Sequence, residues 1–269
     1  MLVSLEFPGQ RVNDREEEDI THHLRGNSIR LLSLRGCSMT DESFARLCAA
    51  LKSNESLQQL NLNMNVVSND RRVKELGHAL QRNASITSLM LHGTSFSKKQ
   101  VKAICKAVDR HPSLMSLDMG DCGLNNSSLK YLCQILQQSD DESSPGKKAK
   151  GLTELNLSGN VEISLPGWTR FAIALSRNET LERLYLDYCR LLPEGAAVLA
   201  VAIARHPTLR TVDVEGCSLA AEGAGYLSLA LKYPGPPRLE EILLSENSIP
   251  KEDEEKIKSH LGVVPETNK

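Results

Sequence analysis

Aromatic side chains are scarce in this 269-residue chain: four Phe, five Tyr and one Trp, 4% in all. That is too few for the base-stacking platform of a single-strand nucleic-acid binder. An excess of positive charge is missing as well. Thirty-two Lys and Arg stand against 34 Asp and Glu, a formal net charge of −2, where a general nucleic-acid binder would be basic. The longest purely apolar run, Ala196 to Ala204, is nine residues, about half of a membrane span. The start, Met1-Leu2-Val3-Ser4-Leu5-Glu6, has no basic leader and Glu6 interrupts its apolar run, so neither a signal peptide nor a transmembrane helix is expected. These absences predict a cytoplasmic protein with no membrane and no nucleic acid among its partners.

Catalytic signatures are missing too. The sequence contains no G-x-x-x-x-G-K-[ST] phosphate loop, no G-x-S-x-G elbow, no H-E-x-x-H and no C-x-x-C pair. No enzyme, cofactor, metal site or small-molecule substrate is expected.

What the sequence does contain is a repeat. The pattern L-x-x-L-x-L-x-x-N/C-x-L begins at Ile29, Leu57, Ile86, Leu114, Leu152, Leu181, Leu209 and Leu239, at spacings of 28, 29, 28, 38, 29, 28 and 30. Leu181, Leu184, Leu186, Cys189 and Leu191 match every position, as do Leu209, Val212, Val214, Cys217 and Leu219. After each alternating segment the period changes. Apolar residues then recur at i, i+3 and i+7, as in Phe44, Leu47, Leu51 and in Ala196, Leu199, Ile203. Alternation predicts a strand, and the longer period predicts an amphipathic helix. The half-dozen apolar side chains of one unit cannot offset the entropy of ordering nearly thirty residues. Units must therefore stack, and the expectation is one curved α/β solenoid with parallel strands inside and helices outside.

These strand-helix units of 28 and 29 residues resemble the ribonuclease-inhibitor class of leucine-rich repeats, over residues 29–261. Within that class, Ser28-Ile29-Arg30-Leu31-Leu32-Ser33-Leu34-Arg35-Gly36-Cys37, Leu60-Asn61-Leu62-Asn63, Gly167-Trp168 with Arg170-Phe171-Ala172-Ile173-Ala174, and Ser245-Glu246-Asn247-Ser248-Ile249 resemble one animal family of such proteins, with no catalytic motif to carry over. Residues 1–28 read as an N-terminal cap: Val3 and Leu5 offer a partial strand, and Asn13 caps a helix with Glu16 three residues on and Ile20 and Leu24 inward. Pro250 opens a charged last helix, Lys251 to Leu261, with Ile257 and Leu261 inward, and residues 262–269 form a tail. The long spacing places an insertion at 137–151, rich in Ser, Asp, Lys and Gly. It reads either as a solvated loop or as a regulatory or docking loop, in which Ser139, followed by Asp140-Asp141-Glu142, suits an acid-directed kinase.

The register accounts for residues that look chemical. Cys37, Cys122, Cys189 and Cys217 lie eight residues after their anchors, where other repeats carry Asn65, Thr94, Asn160 and Asn247. Cys48, Cys105 and Cys133 share one helix position. Both sites predict structural thiols in a reducing compartment. His111 and His206, each before a proline, occupy the turn held elsewhere by Asn54 and Asn83, and are read as turn residues. N-x-S/T sequons begin at Asn54, Asn83, Asn126, Asn156 and Asn178, and without secretion none is expected to be glycosylated.

Positions two, four and six after each anchor point onto the concave sheet face, with position seven at its rim. In the first three repeats they give a neutral, partly apolar mix, Leu31, Gln59, Asn61, Met64 and Met90 among them. In the last five they give Asp118, Asp121, Glu154, Asp187, Asp213, Glu215, Glu241 and Glu246, opposed only by Arg183, with Tyr185 and Tyr188 among them. Such a field steers a basic partner, and the tyrosines suit binding anchors. The resemblance points the same way, because ribonuclease inhibitor uses an acidic concave face on a basic ligand. The leading expectation is a non-enzymatic scaffold that holds a basic protein on this face. The alternatives are a structural subunit of a large ciliary or cytoskeletal assembly, contacted on its convex helices, and, more remotely, a GTPase-activating protein.

Overall fold

The computed structural model describes residues 4–7, 9–64, 67, 69–137, 151–233 and 239–262. The insertion with Ser139 and its acidic neighbours, the tail from 263, Val3 and Asn65 lie outside the described residues. The chain divides into two compact units. The first runs to Gly123 with Gly151 and Leu152, and the second takes Leu124–Gln137 and the residues from Thr153 on.

The first unit alternates β1 (Ser4–Glu6), α1 (Asp14–Arg25), β2 (Leu31–Ser33), α2 (Asp41–Leu51), β3 (Gln59–Asn61), α3 (Asp70–Leu80), β4 (Ser88–Met90), α4 (Lys98–Asp109) and β5 (Ser116–Asp118). Its strands pair in chain order and in parallel, with Leu32, Leu60, Leu89 and Leu117 in one register row. The second unit contains α5 (Asn126–Leu136), β6 (Glu154–Asn156), α6 (Leu165–Leu175), β7 (Arg183–Tyr185), α7 (Leu192–Arg205), β8 (Thr211–Asp213), α8 (Ala220–Lys232), β9 (Glu241–Leu243) and α9 (Lys251–Lys258). Here too the strands are parallel neighbours, and Leu155, Leu184, Val212 and Ile242 align. Each unit thus has the strand-helix repeat of a leucine-rich-repeat fold. The predicted inward residues, from Phe44, Leu47 and Leu51 to Ala224, Leu227 and Leu231, are buried.

The helix starts follow from their caps. Asn13 and Glu16 form the expected capping box on α1, and Ser97 with Gln100 repeats it on α4. Ion pairs then join successive helices of the first unit: Glu17 with Arg46, Asp41 with Arg72 at 2.6 Å, and Asp70 with Lys99 at 2.8 Å. At the other end, α9 stops at Lys258, short of the expected Leu261. Ile257 is buried and Leu261 only half-buried, so the last turn has little apolar surface to hold it.

The turn between helix and next strand is built the same way in each unit. Asn54 Oδ1 accepts the N–H groups of Ser56 and Leu57, while its Nδ2 donates to the Leu24 carbonyl at 2.7 Å. Asn83 and Asn178 repeat this arrangement. His111 and His206 substitute Nδ1 as the acceptor, taking Leu114 N–H and Leu209 N–H, each at 3.1 Å. Their role as turn residues is borne out, with one difference: each Nε2 is buried without a hydrogen-bond partner among the described residues. The inner bend is equally regular. Cys37, Cys122, Cys189 and Cys217 each donate a thiol hydrogen to a carbonyl of the preceding repeat, and Asn247 sends its amide to Val214 O at 2.7 Å. All seven cysteines are buried thiols, and burial pushes Cys48, Cys133 and Cys189 up to about 12, far from nucleophilic use.

Candidate functional site

The sheet face turned away from the helices collects the strand residues that the core does not take. In the second unit it presents Glu154, then Arg183, Tyr185 and Asp187, then Thr211, Asp213 and Glu215, then Glu241, in successive repeats. Parallel pairing in register sets Glu154 beside Arg183, Tyr185 beside Asp213, and Thr211 beside Glu241.

These acids are not equivalent. Glu154 accepts from the Arg183 guanidinium at 2.7 Å, so the cation that the strands of this unit carry among the described residues is already engaged, with Glu182 a further 3.8 Å neighbour. Asp213 is half-buried, and its Oδ1 accepts the Glu215 N–H at 2.9 Å. Burial raises its carboxyl above the usual range, and the charges of Glu215 and Glu241 add to that. Tyr185 is half-buried, and its phenol is raised first by burial. Glu241 and Glu246 are exposed.

Tyr188 organises the rim. Its hydroxyl lies 3.0 Å from a Glu215 oxygen and 3.2 Å from a Glu246 oxygen. A phenol has one hydrogen to donate, so only one carboxylate at a time receives it. Those bonds and charges push the Tyr188 phenol up to about 12. Tyr188 is nevertheless 47% exposed, with its ring at the surface.

The backbone explains how the rim residues are aimed. The seventh position after the anchor has positive φ in both units: Gly36, Gly93, Gly159 and Gly216, but also Met64, Asp121, Tyr188 and Glu246 at 55°, 48°, 53° and 58°. A left-handed backbone is costly for a residue with a Cβ, and here it turns four large side chains onto the rim. Sequence reasoning missed this. The glycines at the same position in alternate repeats were the available signal.

Of the acids expected on this face, Asp118 and Asp121 belong to the first unit. There Asp118 accepts the Gly120 N–H at 2.9 Å and lies 3.6 Å from His92 Nδ1, while Asp121 is exposed. The other eight expected residues, Glu154, Tyr185, Asp187, Tyr188, Asp213, Glu215, Glu241 and Glu246, all fall in the second unit. Among the described residues, no group of three or more His, Cys, Asp or Glu is placed to hold a metal ion, and no helix is long and apolar enough to cross a membrane.

The repeat is also recognisable by comparison. The family profile described as Leucine Rich repeat matches residues 110–133 and 205–228. Leucine-rich repeat-containing protein 73 of Rattus norvegicus and that of Homo sapiens are each 40% identical over 185 residues, covering 69% of this chain and 56% of theirs. The match thus spans little more than half the length of these curated relatives. Among solved structures, a chain in the crystal structure of the yeast Rad7 and Elc1 complex superposes with a TM-score of 0.60 at 17% identity, over 91% of this chain and 57% of that one. At that identity the likeness speaks for the fold alone. On repeat, register and relatives together, the chain is a leucine-rich-repeat protein that resembles leucine-rich repeat-containing protein 73.

Proposed function

We propose that the chain is a non-enzymatic protein-interaction scaffold whose second unit holds a basic segment of a partner against its strand face. The observation that carries this reading is the Tyr188 hydroxyl set between Glu215 and Glu246. One donor for two carboxylates leaves negative charge that a Lys or Arg of a partner would satisfy, and Arg183 is already committed to Glu154. Glu241 lies on the neighbouring strand, open to solvent. The exposed Tyr188 ring supplies an apolar anchor amid the charges, the residue type that concentrates binding energy at interfaces. Complementary charge would act mainly on the association rate and on partner choice.

The test replaces Glu215, Glu241 and Glu246 by Lys together. Asp213 is left alone, because it is half-buried and holds the Glu215 N–H. Proteins retained by the wild type and lost by the variant should be basic, and their capture should weaken as salt is raised. Circular dichroism confirms that the variant is folded. Equal capture by both proteins overturns the reading.

A further inference from the structure

The helix layer differs between the two units. In the first, charged pairs run from helix to helix. In the second, α6, α7 and α8 carry no such pair among the described residues. They instead expose Ile173, Val201 and Leu229, at 49%, 58% and 64%. These residues are 28 apart, so they occupy one helical position in three successive repeats. An apolar row at solvent on adjacent helices marks an interaction surface.

What covers it is indicated by the charges along α7. Residues seven and eleven apart share a helix face, so Glu194, Val201 and Arg205 form one stripe, with Val198 beside them. Glu194 and Arg205 are exposed and have no ion-pair partner among the described residues. The stripe is acidic at its start, apolar in the middle and basic at its end. A two-fold axis through the middle of such a stripe pairs each end with its opposite, which is the self-complementarity that an isologous interface needs.

We propose that this helix face is a self-association surface, with α7 packing antiparallel on α7 of a second copy about a two-fold axis between Leu199 and Ala200. That axis sets Glu194 opposite the second copy's Arg205 and Val198 opposite its Val201. The 28-residue repeat carries the same axis to the flanking helices. Arg177, two residues past the end of α6, falls opposite Glu222 at the start of the second copy's α8, whose carboxylate also accepts from the Tyr226 hydroxyl. Ile173 falls opposite the second copy's Tyr226, and Arg170 falls opposite its Leu229. The charge pairs set the antiparallel register, and the apolar row supplies the buried centre.

Sedimentation velocity of the full chain over a concentration series tests this. The wild type forms a reversible dimer. Val201→Asp weakens it by ~10-fold or more, as expected for a charge placed at the centre of a desolvated patch. Glu194→Arg alone and Arg205→Glu alone each weaken it, because like charges then face each other. The double swap restores it. A wild type that stays monomeric throughout, a dimer indifferent to Val201→Asp, or a double swap no better than the singles overturns the proposal. The substituted side chains are at the surface, so the core is spared, and thermal melting of each variant checks this. A Val198→Cys, Val201→Cys variant gives an independent reading: oxidation links it into a covalent dimer, and failure to cross-link equally overturns the proposal.

Discussion

Tyr188 of one repeat fills the space that a side chain on Gly216 of the next would need. A Cβ on Gly216 would come within 2.6 Å of the tyrosine Cδ1 and 2.7 Å of its Cε1. Both residues occupy the seventh position of their repeats and both have positive φ, 53° and 61°. The small residue and the large one are therefore a matched pair, and the match holds the phenol between its two carboxylates.

Gly216→Ala breaks the pair twice, through the left-handed backbone and through the ring it displaces. The expected loss is about 1–3 kcal/mol in chemical denaturation. Gly123→Ala serves as the control. It has φ of 63° but only the Ser95 hydroxyl near its added Cβ, at 4.0 Å, so it should show the backbone cost alone, about 1 kcal/mol. Equal losses in the two variants would show that the Tyr188 contact carries no weight.

Removing the carboxylates should release the phenol. With Glu215→Gln and Glu246→Gln combined, Tyr188 titrates closer to the ordinary tyrosine value of about 10, instead of about 12. Absorbance titration of the tyrosinates, compared with a Tyr188→Phe variant to assign the signal, measures the change. An unshifted curve would mean that the carboxylates do not hold the hydroxyl.

His111 and His206 make stability depend on pH. Burial lowers both to about 4, so the folded rings are neutral and keep Nδ1 as a backbone acceptor. Unfolded histidine takes a proton near 6.5. Unfolding therefore binds protons between those values, and stability is full above pH 6.5 and falls as the pH drops through that window towards 4. His206→Asn keeps the acceptor, as Asn178 does in its own turn, and removes the titrating ring. Proton uptake on unfolding, read from the pH slope of the unfolding free energy, should fall by about one.

At the inner bend, Asn247 and Cys217 occupy equivalent positions with unequal bonding. The two N–H groups of Asn247 Nδ2 are shared among Val214 O, Leu244 O and Ser245 O, and its Oδ1 accepts the Leu219 N–H. Cys217 makes one thiol bond, to Leu186 O. Asn247→Ala leaves several buried backbone groups unpaired and should cost about 2–4 kcal/mol. Cys217→Ala should cost roughly 1 kcal/mol. Urea midpoints of the two variants give the comparison, and a larger loss for Cys217→Ala would contradict it.

Much of this was legible in the residues, because a repeat writes the same physical demand at a fixed spacing. Leu184 and Val212, His206 and Asn178, and Cys189 and Asn247 each announce their role by register. A strand face, a turn acceptor and an inner bend are local requirements that recur every 28 or 29 residues. The capping box of Asn13 and Glu16 was readable for the same reason, since it involves only neighbours in sequence. The candidate face was legible only as a list of acids. Glu154 is paired with Arg183, 29 residues on, and Tyr188 meets Glu246 from 58 residues away. Stacking sets adjacent strands about 4.8 Å apart, and at that range the direction of each side chain determines which charges cancel, which are half-buried and which face solvent. The row of Ile173, Val201 and Leu229 was present in the sequence all along. Its exposure depended on which side of each helix packed inward, and that is a property of the folded stack.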